Sequence, residues 1–121
     1  MPKIDISYGE LADRFSILRV KAERLPAEKA SEIQVEISEI SVAHPELSTV
    51  PLSGFVDRLY KLNCVLWSAV AECRMYVSSG SHVRRFLDAS STVVRLNDER
   101  FKIKSTVDSV MPGGHRELKE I

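Results

Sequence analysis

The stretch Val93–Asp108 reads Val-Val-Arg-Leu-Asn-Asp-Glu-Arg-Phe-Lys-Ile-Lys-Ser-Thr-Val-Asp, and its periodicity decides the fold. Phe86, Ala89, Val93, Leu96, Ile103, Val107 and Val110 recur at spacings of three and four, the mark of one buried helix face. Arg100 falls on that same line. A neighbouring stripe through Leu87, Ser90, Val94, Asn97, Phe101 and Lys104 is interrupted in the same way by Asn97 and Lys104. A polar group facing a helical core needs a partner, because an unpaired buried one costs about 1–3 kcal/mol. These residues therefore form either a structural network or the lining of a site.

Working outward, the helix that carries this stretch opens near Ser81 and stops at Met111-Pro112-Gly113-Gly114, while the charged tail His115–Ile121 shows no periodicity. Before it, Ser53 is placed to cap a third helix running to about Val77 and ending in Ser78-Ser79-Gly80. Two adjacent stripes, Leu59, Leu62, Leu66, Ala69, Cys73 and Val56, Tyr60, Asn63, Trp67, Val70, give it an apolar arc wide enough for burial on two sides. The joint between these two long helices suits an antiparallel hairpin.

Two shorter helices precede the hairpin. Ser7-Tyr8-Gly9-Glu10 has the form of a capping box, with Ile6 and Leu11 at the positions of a hydrophobic staple, so the first helix starts at Tyr8. Leu11, Phe15, Leu18, Ala22 and Leu25 line its buried face until Pro26. Gly9 in the first turn costs helix stability, which points either to close approach of another backbone or a ligand or to a merely tolerated glycine. Pro26 suits the start of a second helix, whose apolar line is Ala30, Ile33, Ile37 and Ile40 and whose outer face carries Glu28, Glu32, Glu36 and Glu39, until His44-Pro45 ends it. Pro45–Ser53 is a connecting loop. The expectation is an all-α fold: one helical domain over residues 1–121, its tail 112–121 loosely ordered, with a long antiparallel hairpin of helices three and four packed by two shorter ones.

Composition excludes several classes. Lys plus Arg and Asp plus Glu number 17 each, so no net charge draws the chain to nucleic acid or to an anionic membrane. The basic residues of helix four are interleaved with acids, unlike a groove-binding helix, and nucleic acid is not an expected partner. No apolar run approaches the roughly 20 residues of a membrane span, and the start lacks a signal-peptide core, so the expected location is the cytoplasm. Cys64 and Cys73 stand nine positions apart on one helix, beyond the reach of a disulfide. Neither a metal site nor a cofactor motif is present, and no nucleophile has a base in supporting sequence context.

The polar constellation is left. Tyr8, Arg14, Asn63, Trp67, Asn97, Arg100 and Lys104 combine donors for a phosphate or carboxylate, amides for a base edge and rings for stacking. They are the candidate binding residues for a small anionic, nucleotide-like ligand. The alternative is an internal brace in which Glu10, Asp13 and Asp98 pair with Arg14, Arg100 and Lys104 while Trp67 is core. The long hairpin also leaves apolar surface for a second copy, so a homo-oligomer is expected.

Three blocks carry a resemblance: Gly9-Glu10-Leu11 with Asp13, Arg14, Ser16-Ile17-Leu18, Lys21 and Glu23; Leu62-Asn63 with Leu66-Trp67 and Arg74; and Val93, Asn97-Asp98, Arg100, Lys104 and Val107-Asp108. Together they resemble a family of short helical proteins that bacteria and their phages carry, catalogued only as a domain of unknown function. Val70, where the pattern tends to carry an acid, and Pro112-Gly113-Gly114 depart from it. The resemblance implies that the polar positions of helices one, three and four form one unit, and it brings no activity. In a phage setting the expected role is non-enzymatic: sequestration of a nucleotide-derived signal of a host defence system. The rival is a structural or adaptor protein whose polar core only fixes helix packing and oligomerisation.

Overall fold

A computed structural model describes residues 3–80, 82–111 and 114–118, with side chains for 6–80 and 82–111. The elements are strand β1 (Lys3–Ser7), helices α1 (Tyr8–Arg24) and α2 (Ala27–Ala43), a 3₁₀ turn (Pro45–Ser48), helices α3 (Leu52–Ser79) and α4 (Val83–Val110), and strand β2 (Gly114–Leu118). The fold is all-α in its body. The long helices α3 and α4 pack most extensively on each other, α1 lies against both, and α2 packs on α1 and the 3₁₀ turn.

Local chemistry sets most boundaries. Ser7 caps α1, its hydroxyl accepting the Glu10 amide at 3.1 Å. The reciprocal half of a capping box is absent, because the Glu10 carboxylate turns across to the Lys104 ammonium of α4. Gly80 closes α3 in the left-handed conformation, φ 66°, where a side chain would be strained. The start of α3 differs from the expectation. Ser53 is not its cap: the helix begins at Leu52, and the Ser53 amide already donates to the Thr49 carbonyl at 2.8 Å. Ser81, expected to open the fourth helix, lies outside the described residues, and α4 starts at Val83 after His82. The tail also differs, since Gly114–Leu118 pairs antiparallel with Lys3–Ser7, a contact between chain ends that local periodicity cannot reveal.

The core draws on every helix: Leu11, Phe15 and Leu18 of α1, Ile40 of α2, Leu52, Val56, Leu59, Leu62 and Leu66 of α3, and Leu96, Ile103 and Val107 of α4. On α4 the buried positions are those of the expected line, with Arg100 half-buried among them. Most of the neighbouring stripe faces outward instead, Lys104 excepted. Leu87, Val94, Asn97 and Phe101 are exposed, because α3 and α1 cover only one side of α4.

On the outer side of the α1–α3 contact, the Arg19 guanidinium stacks 4.4 Å from the Tyr60 ring centre and reaches Asp57 at 3.3 Å. The Tyr60 hydroxyl donates to Glu23. That hydrogen bond, with a smaller contribution from Cys64, pushes the phenol up to about 12. The neutral phenol is the form the fold holds, so its contribution is complete below pH 10 and is lost as pH rises towards 12.

Two outcomes are expected from denaturant unfolding. Ser7→Ala should cost about 1 kcal/mol through loss of the cap. Gly9→Ala should cost about 1–3 kcal/mol by overpacking, since a Cβ there would run into the Lys104 carbonyl and sit 2.9 Å from Asp108 Oδ1. An unchanged midpoint for either variant would contradict the packing described.

Candidate functional site

The centre of the polar constellation is Asp13, which is 2% exposed. From α4, Arg100 meets its carboxylate with two parallel bonds, Nε to Oδ1 at 2.8 Å and one terminal nitrogen to Oδ2 at 2.5 Å. From α3, the Asn63 amide donates to Asp13 Oδ1 at 3.2 Å and to Ser16 Oγ at 2.9 Å, and the Ser16 hydroxyl in turn donates to the Asp13 carbonyl at 2.7 Å. Lys104 stands 3.8 Å from Asp13 Oδ2 and pairs with Glu10. Three helices are thus tied at one buried carboxylate. A fork-to-fork pair is the strongest common ionic geometry in proteins, and the hydrogen bond to Asp13 raises the Arg100 guanidinium above its ordinary value.

One turn earlier, α1 presses directly on α4. The Gly9 amide, one of the donors left open at a helix start, gives its hydrogen to Asp108 Oδ1 at 2.7 Å. The close approach expected at Gly9 is therefore to the α4 backbone.

Beside the Asp13 centre lies a cleft of about 270 Å³ lined by Ile17 and Val20 of α1, by Asn63, Leu66, Trp67, Val70, Ala71 and Arg74 of α3, and by Arg100. It sits where α1 runs past the middle of the hairpin, so α3 continues beyond its cover. Its walls are aliphatic apart from the Trp67 ring and the Asn63 amide, and two guanidinium groups border it. Arg100 is half-buried and held by Asp13. Arg74 is exposed and, among the described residues, has no carboxylate within salt-bridge distance. Val70, the point of departure from the resembled pattern, is part of the lining.

The seven candidate residues consequently divide. Asn63, Trp67 and Arg100 border one cleft. Lys104 belongs to the ionic centre, not to the cleft. Arg14 is drawn away to Glu36 of α2 at 3.2 Å, Asn97 is exposed on α4, and Tyr8 packs against the core at the start of α1. Asp98, expected among the bracing acids, is exposed as well. Periodicity missed Ile17, Val20 and Ser16, because α1 buries a second line beside Leu11, Phe15 and Leu18. Arg74 had a signal, as a charge two turns after Trp67 on the same face of α3. Among the described residues no group of three His, Cys, Asp or Glu side chains could hold a metal ion, and no helix is long and apolar enough to cross a membrane.

Removing one member of the buried pair leaves the other uncompensated. Arg100→Met and Asp13→Asn should each destabilise the protein by about 2–4 kcal/mol. The double variant should cost much less than the sum, because each residue's role is the other. Additive losses in urea unfolding would show that the two act separately.

No curated protein and no solved structure matches the chain. One family model does, over residues 2–113, which takes in all four helices and the whole of the Asp13 centre. The chain belongs to the family of unknown function DUF6165.

Proposed function

We propose that this chain is a cytoplasmic, non-enzymatic binding protein that captures a small anionic, nucleotide-derived ligand in the cleft between α1 and α3. The observation that carries this reading is the pairing of two guanidinium groups with one aromatic ring around an aliphatic hollow. Trp67 and the wall of Ile17, Val20 and Leu66 suit a flat body, while Arg74 and Arg100 suit a phosphate or carboxylate at its end. Fixing by Asp13 reduces the entropy that Arg100 would lose on binding, which is the advantage of a preorganised donor. A cleft of about 270 Å³ is at the lower end of the usual ligand range. It accommodates a ring and leaves the charged end at the rim.

The lining carries no carboxylate, imidazole or thiol, so it offers no base or nucleophile to transform what it holds. Capture without chemistry is sequestration. In a phage setting it would withdraw a nucleotide signal from a host defence system. A second reading is favoured by the saturation of Asp13: the polar core is complete without a ligand, as a structural or adaptor protein would require.

A thermal-shift series with cyclic and ADP-ribose-type nucleotides separates the two. Binding at about 100 times Kd should add about 2.7 kcal/mol to the native state. Arg74→Ala, a surface change expected to move unliganded stability by less than about 0.5 kcal/mol, should abolish that gain. An empty screen would leave the structural reading standing.

A further inference from the structure

The cleft between α1 and α3 is built from helix interiors, and this limits what it can recognise. Ile17 and Val20 lie within α1, the α3 lining runs between Asn63 and Arg74, and Arg100 lies within α4. None of these residues is among the four at either end of its helix, where backbone groups are left open, so every N–H and C=O of the lining is committed to its own helix. A nucleobase edge placed there finds no backbone donor or acceptor.

The side chains offer such an edge little more. The aliphatic residues have no polar atom to give. Asn63 is the residue type suited to reading a base, because one amide presents a donor and an acceptor together. The fold spends both hydrogens of its nitrogen elsewhere, on Asp13 Oδ1 at 3.2 Å and on Ser16 Oγ at 2.9 Å. What is left is one acceptor, the carbonyl of that amide, and one neutral donor, the Trp67 indole N–H, whereas bases are told apart by paired contacts from one rigid group. The Trp67 ring itself stacks on any base, since every base has a π-face.

The anionic end meets the opposite situation. Of the five N–H groups of Arg100, Asp13 takes two, and Arg74 has no carboxylate within salt-bridge distance among the described residues. An arginine can also pair with guanine, yet a phosphate oxygen is the stronger acceptor, because its hydrogen bonds are charge-assisted. No acid in the lining opposes it. Of the acids nearby in sequence, Glu72 and Asp98 stand about 160° around their helices from Arg74 and Arg100, and Glu99 is paired with Arg95.

We infer that the cleft is blind to the base: it takes a nucleoside phosphate by its phosphate, on Arg74 and Arg100, and by the face of its ring, on Trp67, whichever base that ring is. The inference rests on the nucleotide reading proposed above and turns it from one signal into a chemical class. A capture protein of this kind withdraws several nucleotides that share a phosphate.

The test is titration calorimetry of the full chain with the 5′-monophosphates of adenosine, guanosine, cytidine and uridine, and with adenosine itself. The four nucleotides should bind with Kd values within about tenfold of one another, the spread that stacking strength leaves. Adenosine should bind roughly ten- to a hundredfold more weakly than its monophosphate, as loss of a charged hydrogen bond requires. Trp67→Phe, which keeps a ring and removes the indole N–H, and Arg74→Ala should each weaken all four nucleotides by the same factor. If a variant fails to fold, the wild-type series alone decides. One base preferred beyond tenfold, or a variant that weakens one base alone, would overturn base-blindness and leave the nucleotide reading standing. Adenosine that matches its monophosphate would overturn the role of the phosphate. Silence of all four nucleotides would overturn the nucleotide reading, and the inference with it.

Discussion

The bidentate pair between Asp13 and Arg100 is the constraint from which the rest follows. Apolar lines alone position α1 on α4 loosely, since a slip of one turn would still bury leucine against isoleucine. The ionic pair admits no such slip: one turn either way would set the guanidinium against Gly9 or Ile17. Gly9 fixes the same register independently, because only a residue without Cβ fits against the Lys104 carbonyl, and its amide finds Asp108 there. Such a pair is weak evidence of net stability, because desolvation offsets much of the attraction. What it supplies here is one alignment of three helices.

That alignment determines where surface is left open. With α1 held at 17 residues against helices of 28, much of the hairpin extends past its cover. The cleft lies where Ile17 and Val20 face Leu66, Val70 and Arg74 of α3, while the last turn of α1 is engaged elsewhere on α3, Glu23 with Tyr60. The same geometry explains why Arg100 can serve two surroundings at once. Its side chain is 27% exposed, with one edge on Asp13 and the remainder bordering the cleft.

The helices were legible because their apolar residues repeat over many turns, and the Ser7 cap and the Gly80 stop have local chemical causes. The odd charge at Arg100 was legible for the same reason, as a break in a long regular line. Partner choice was not. Arg14 meets Glu36 and not an acid of α4, and Glu10 leaves its capping role for Lys104, because these outcomes depend on crossing geometry that spacing along one helix does not encode. Asn97 shows the limit most clearly. Its stripe contains large apolar residues at core spacing, Leu87, Val94 and Phe101, yet these face outward, since periodicity identifies a face without saying which neighbour covers it.

The same ambiguity bears on the charge balance. A total of 17 basic and 17 acidic residues reads as an electrostatically indifferent chain. The fold gathers part of the acidic total on the outside of α2, where Glu28, Glu32 and Glu39 are exposed, whereas the exposed charges of α4 are mixed, Arg84, Arg85, Arg95 and Lys102 beside Asp88, Asp98, Glu99 and Asp108. A chain of zero net charge can therefore still carry a surface of one sign. Over a Debye length of about 8 Å at physiological salt, a nearby copy responds to the surface facing it and not to the sum. Net charge describes how this molecule behaves at long range, and the arrangement of its helices describes what it meets at contact.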